Sequence, residues 1–127
     1  MSHFTTIETQ VRDLDALREA CTDLGLQLLS GVPCRGYAGA SRKAEHVIRL
    51  KGPYDIAVDP GPDNAFTLTC DWWDGHVEKE TGPRHGRLLQ AYGVRKTLRE
   101  AQARGLRATR RLETDGSILL VLEGGAL

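Results

Sequence analysis

The sequence predicts an α+β protein of two layers, in which a mainly antiparallel sheet carries two helices packed on one face. Two helical patterns stand among seven segments of strand character, in the order β-α-β-β-β-β-α-β-β. Most of the strands follow one another without an intervening helix, and such neighbours pair antiparallel. A chain of 127 residues has the size of one domain, so we expect residues 1–127 to form a single α+β domain.

The first strand and helix are predicted within residues 4–25. Residues 4–11 are rich in Thr and β-branched side chains, which favour strands. Asp13 is a suitable N-cap, and apolar residues then recur at helical spacing until Gly25, where glycine can end a helix. A second strand is predicted at 26–32.

A glycine-rich stretch, 34–43, follows and lacks the spacing of a phosphate-binding loop. We interpret it as a flexible connection. Its polar and aromatic residues are candidates for contact with a partner: Arg35, Tyr37, Arg42 and Lys43.

Three strands are predicted next, at 45–51, 54–59 and 66–73. The third contains both tryptophans of the chain, side by side. Because side chains alternate along a strand, Trp72 should join Cys70 in the core, and Trp73 should lie on the opposite face of the sheet. We therefore assign Trp73 to a partner surface.

A second helix is predicted at 86–104, followed by a hairpin of strands 106–112 and 118–122 around the turn 114–117. Gly93 inside the helix suggests a close packing contact. Residues 84–111 carry nine bases and one acid, a net charge of +8, although the whole chain is neutral. This basic helix and the strand after it supply further partner-binding candidates: Tyr92, Arg95, Arg99, Arg107 and Arg110.

The cysteines and histidines indicate which chemistry the chain can support. The three cysteines are neither paired in C-x-x-C motifs nor preceded by a secretory signal, so we expect reduced thiols in a cytoplasmic protein without a membrane segment. Cys34 is the thiol expected to be exposed. Cys70 and His76 do not complete a ligand set, so we predict no metal and no cofactor.

Several motifs, taken in order, resemble a family of small bacterial, cyanobacterial and plastid proteins called hypothetical chloroplast reading frame thirty-five. The resemblance implies no catalytic residue, and it implies an accessory role alongside an AAA-type ATPase. The motifs are Met1-Ser2-His3-Phe4, Asp13-Leu14-Asp15-Ala16-Leu17, Arg35-Gly36-Tyr37, Tyr54-Asp55-Ile56, Asp71-Trp72-Trp73, Leu88-Leu89-Gln90-Ala91-Tyr92 and Asp115-Gly116-Ser117-Ile118.

Three functions remain open at this stage. The first is a non-enzymatic protein-interaction module, an accessory or adaptor subunit of an AAA-type ATPase. The second is an RNA- or DNA-binding domain that uses the basic helix 84–111, since arginines beside an aromatic ring suit phosphates and bases. The third is an enzyme whose site combines Cys34 or Cys70 with a histidine.

Overall fold

A computed structural model describes residues 4–124, so the first three residues of the motif Met1-Ser2-His3-Phe4 lie outside it. The predicted α+β class is confirmed, with a five-stranded antiparallel sheet and two long helices. The elements in chain order are β1 Phe4–Glu8, α1 Leu14–Asp23, β2 Gln27–Ser30, β3 Cys34–Arg35, β4 Ser41–Arg42, β5 His46–Arg49, β6 Ile56–Pro60, β7 Phe66–Asp71, α2 Glu78–Thr81, α3 Gly86–Ala103, β8 Arg107–Leu112 and β9 Ile118–Glu123.

The central sheet has the strand order β1-β7-β6-β5-β2, and every neighbouring pair is antiparallel. Alternation along the strands directs one set of apolar side chains towards α1 and α3. Leu17 on α1 and Leu88 on α3 meet Ile56 and Leu68 of the sheet there, and all four are fully buried. This is the main core.

The opposite face of the sheet is covered by a ribbon, β3–β4, where the sequence predicted a flexible loop. Cys34 of the ribbon packs against Val47 and Ala57 in a second, smaller apolar cluster. Gly36 lies so close to Phe4 that a Cβ atom there would stand 2.7 Å from the phenyl ring. Strands of two residues are too short to leave a periodic pattern, which explains why the prediction failed here.

The helices begin and end largely as the sequence predicts. The Asp13 side chain accepts a hydrogen bond from the amide of Ala16 at 3.0 Å, and Gly25 and Gly105 follow α1 and α3 at positive φ. The prediction for Gly93 is wrong, because nothing lies within 4 Å of a Cβ built there. Among residues 4–124, no helix is both long and apolar enough to cross a bilayer.

The hairpin β8–β9 forms as predicted but remains a separate two-stranded sheet beside α3. Its residues pair in register from Arg107 opposite Glu123 to Leu112 opposite Ile118. The hairpin therefore extends the fold beyond the two-layer core.

Candidate protein-interaction surface

The two tryptophans take different positions, in part as predicted. Cys70 is fully buried and Trp73 is 45% exposed. β7 ends at Asp71, however, and Trp72 leaves the extended conformation, with φ −85° and ψ 8°. Trp72 is therefore only half-buried against the core, where its ring centroid lies 4.6 Å from that of His85.

Trp73 meets Tyr37, the aromatic residue of the β3–β4 ribbon. Their ring centroids are 5.4 Å apart with an interplanar angle of 66°, an edge-to-face arrangement typical of aromatic pairs. Asp71 joins the two chain segments, because its carboxylate accepts hydrogen bonds from the amides of Trp73 at 2.9 Å and Tyr37 at 3.3 Å. Tyr37 is 42% exposed, so the structure brings together two predicted contact residues on one solvent-facing surface.

A second buried carboxylate, Asp55, holds the ribbon beside Tyr37. It accepts hydrogen bonds from the Arg35 guanidinium at 2.7 and 2.9 Å and from the Arg35 amide at 3.1 Å. Arg49 Nε lies 3.2 Å from the same carboxylate. Arg35 therefore attaches the ribbon to the sheet. The next residue, Gly36, packs against Phe4, and Tyr37 after it exposes its phenol ring to solvent.

The surroundings of the aromatic pair are acidic. Burial is the main cause that raises the pKa of Tyr54, and the nearby carboxylates of Asp71 and Asp74 act in the same direction. The Asp74 side chain is 74% exposed, and its carboxylate lies 3.8 Å from His76 Nε2. We name Tyr37, Trp73 and Asp74 the aromatic surface. Aromatic faces next to a carboxylate attract cations, chiefly arginine and lysine side chains.

The predicted basic helix is largely neutralised by α1. Arg95 makes two hydrogen bonds to Asp23 at 2.6 and 2.7 Å, and these bonds lower the pKa of Asp23. Arg99 bonds Glu19 at 2.8 Å. The prediction that Tyr92 borders exposed bases is wrong: the side chain is buried, and its hydroxyl accepts hydrogen bonds from two backbone amides of the chain before α1.

The remaining predicted cations lie elsewhere. Arg42 pairs with Asp59 at 3.3 Å, whereas Lys43 is exposed. Arg107 and Arg110 are exposed on β8, and no carboxylate among residues 4–124 comes within 4 Å of either. Within residues 4–124, positive charge without a carboxylate within 4 Å therefore remains on the hairpin at Arg107 and Arg110, and on α3 at Arg87.

The thiols do not fit the enzyme hypothesis. Cys34, predicted to be exposed, is buried under the ribbon, and this burial raises its pKa to about 12. Cys70 Sγ lies 3.9 Å from His85 Nε2, while the other ring nitrogen of His85 is 3.1 Å from Thr81 Oγ1. Burial raises the pKa of Cys70 to about 12 and lowers that of His85 to about 4, so both are neutral at pH 7. A neutral, solvent-shielded pair lacks the thiolate that nucleophilic catalysis needs.

The residues around Cys70 and His76 do not form a metal-ligand set in the described chain. Within residues 4–124, no three His, Cys, Asp or Glu side chains are grouped to hold an ion. Cys70 contacts His85, and His76 packs edge-to-face on Tyr54 with ring centroids 4.9 Å apart.

Comparison with known proteins places the chain in a family. A family model described as "Protein of unknown function (DUF1257)" matches residues 20–121. The chain belongs to the DUF1257 family. A relative from Pyropia yezoensis, named "Uncharacterized protein ycf35", is 28% identical over 135 aligned positions that cover 97% of each chain. The resemblance read from the sequence motifs is thereby confirmed. No solved structure matches the chain.

Proposed function

We propose that this DUF1257 protein is a non-enzymatic protein-interaction module that binds a basic segment of a partner protein on the aromatic surface. The observation that carries the proposal is the exposed Tyr37–Trp73 pair, held by one buried carboxylate that bonds both backbone amides. Interface hot spots are enriched in Trp and Tyr, and a side chain that is already ordered loses little entropy on binding.

The charge of the site selects the chemistry of the partner. Asp74 follows Trp73 in the chain and has an exposed carboxylate. An exposed carboxylate and an exposed aromatic pair both favour an arginine or lysine side chain as the ligand. The family resemblance makes an AAA-type ATPase the first candidate for the protein that presents this side chain. The buried, neutral Cys70–His85 pair gives no support to the enzyme alternative.

Nucleic-acid binding is the second candidate, and it rests on a different surface. Arg107 and Arg110 on β8 are exposed and without a carboxylate within 4 Å in the described chain. A nucleic-acid ligand would contact these two arginines. Its affinity would fall steeply as the salt concentration rises, because each neutralised phosphate releases counterions.

Affinity purification separates the two candidates. The tagged protein is isolated from its host with and without nuclease, alongside Trp73→Ala and the double variant Arg107→Glu/Arg110→Glu. We expect a protein to be retained after nuclease, to be lost from Trp73→Ala and to remain on the double variant. The nucleic-acid proposal would replace the protein-binding proposal if the wild type bound nucleic acid at micromolar affinity and the double variant did not.

A further inference from the structure

The hairpin β8–β9 exposes more apolar surface than a solvated element needs. Four of its large apolar side chains are 39–73% exposed, and its only pairing among residues 4–124 is between its own two strands. An isolated two-stranded hairpin has marginal stability in water. The four residues are Leu112, Leu119, Val121 and Leu122.

The outer edge of β9 has backbone hydrogen-bonding groups that no other strand within residues 4–124 pairs. The amide of Glu113 donates to the carbonyl of Ser117 at 2.8 Å, so Ser117 faces β8. Backbone direction alternates along an antiparallel strand, so Leu119 and Val121 also face β8, and the N–H and C=O groups of Leu120 point away from it. The residues on either side of Leu120 that share its direction are Ile118 and Leu122.

This edge lacks the usual protection against pairing. Exposed edges in soluble proteins carry charges, proline or bulges that deter another strand. Residues 118–122 (ILLVL) contain neither a charge nor a proline, and their register with β8 is continuous. β8, by contrast, carries Arg107, Arg110 and Arg111.

We propose that β9 pairs antiparallel with β9 of a second copy of this chain, giving a four-stranded sheet in the order β8-β9-β9-β8. A two-fold axis at Leu120 pairs this residue with its own copy and Ile118 with Leu122 of the second copy. Each hydrogen-bonding position of the new ladder then holds an apolar residue, and Leu119 and Val121 meet on the exposed face. The inference goes beyond the proposed function and does not depend on it.

Charge decides between the possible pairings. Joining β8 to β8 would set arginines opposite one another across the new ladder, and like charges there are destabilising. Joining β9 to β9 leaves the two basic strands three strand spacings apart, about 14 Å, which exceeds the Debye length of ~8 Å at physiological salt. The β9 pairing is also two-fold and ends with two chains, whereas β8 joined to β9 is a head-to-tail contact that leaves an unpaired β9 at one end and extends into a filament.

The oligomeric state of the full chain tests this proposal, by sedimentation analysis over a range of concentrations. Val121→Lys places a charge directly opposite Leu119 of the second copy, and Leu120→Pro removes an N–H that points away from β8 and towards the second copy. Thr109→Lys is the matched control, because Thr109 lies opposite Val121 but on β8. We expect the wild type and Thr109→Lys to have the mass of two chains, and Val121→Lys and Leu120→Pro the mass of one.

Three results would overturn the proposal: a wild type that stays monomeric at all concentrations, a Val121→Lys variant that stays dimeric, or a wild type that grows without limit. Should Leu120→Pro not fold, Val121→Lys decides alone. Val121→Lys leaves Tyr37 and Trp73 unchanged, so it should still retain the partner in the affinity purification. Dimerisation through β9 and partner binding on the aromatic surface are thereby tested separately.

Discussion

Replacing Asp55 with alanine is expected to lower the free energy of unfolding by about 3 kcal/mol. The Asp55 side chain is fully buried and accepts hydrogen bonds from Arg35 and from the amide of Leu50. Breaking a buried ion pair by removing one partner costs about 3–5 kcal/mol, because the other charge loses its compensation. The low end applies here, since Arg35 is 39% exposed and can regain water.

Urea denaturation of Asp55→Ala beside Asp59→Ala measures this effect. Asp59 also pairs with an arginine, Arg42, but at 3.3 Å and with a partly exposed carboxylate, so its loss is expected to cost about 1 kcal/mol or less. Equal destabilisation by the two variants would show that Asp55 does not anchor the ribbon.

Acid is expected to destabilise the fold through His85 by a similar amount. Burial lowers the pKa of His85 to about 4, against 6.5 for the exposed side chain. The unfolded chain therefore gains a proton at His85 as pH falls through 6.5, while the folded chain stays neutral until about pH 4. The contribution of neutral His85 to the free energy of unfolding is therefore present in full above pH 6.5 and is lost as the pH falls from 6.5 to about 4. The loss amounts to about 3 kcal/mol at 1.36 kcal/mol per pH unit.

The variant His85→Asn isolates this contribution. Asparagine tolerates the left-handed backbone of this position, φ 63°, and does not titrate. Unfolding free energies at pH 7 and pH 4 should differ by about 3 kcal/mol less in His85→Asn than in the wild type. His76→Asn makes the same substitution at a partly exposed histidine and serves as the comparison. A pH dependence unchanged in His85→Asn would contradict the assigned cause.

The elements with a clear period were predictable from the sequence, and the contacts that hold the aromatic surface were not. Alternation placed Cys70 in the core, and the capping residue Asp13 located the start of α1. Nothing local marks Asp55 or Asp71 as buried, because acidic residues in strands usually face solvent. Their burial depends on the ribbon that supplies their hydrogen-bond donors, and that ribbon has no periodic pattern.

The ion pairs of the basic helix could not be predicted for a related reason. Arg95 and Asp23 are 72 positions apart, so composition shows the arginine cluster but not the acidic helix that packs beside it. Local charge is a guide to a binding surface only where tertiary contacts leave it unpaired, as at Arg107 and Arg110 on β8. Buried His85 was missed because its pairing with Cys70 and Thr81 requires three separate elements to meet.

The central claim is that the aromatic surface binds a protein, and the affinity of the captured partner for Trp73→Ala tests it most directly. Trp73 anchors its backbone amide on Asp71, so truncating the exposed ring leaves that hydrogen bond in place. Calorimetric titration should show affinity reduced by about 30-fold or more, as for a hot-spot residue that contributes about 2 kcal/mol. Leu112→Ala, at an exposed apolar residue of the hairpin, is the control and should bind as the wild type does. Wild-type affinity in Trp73→Ala would contradict the account.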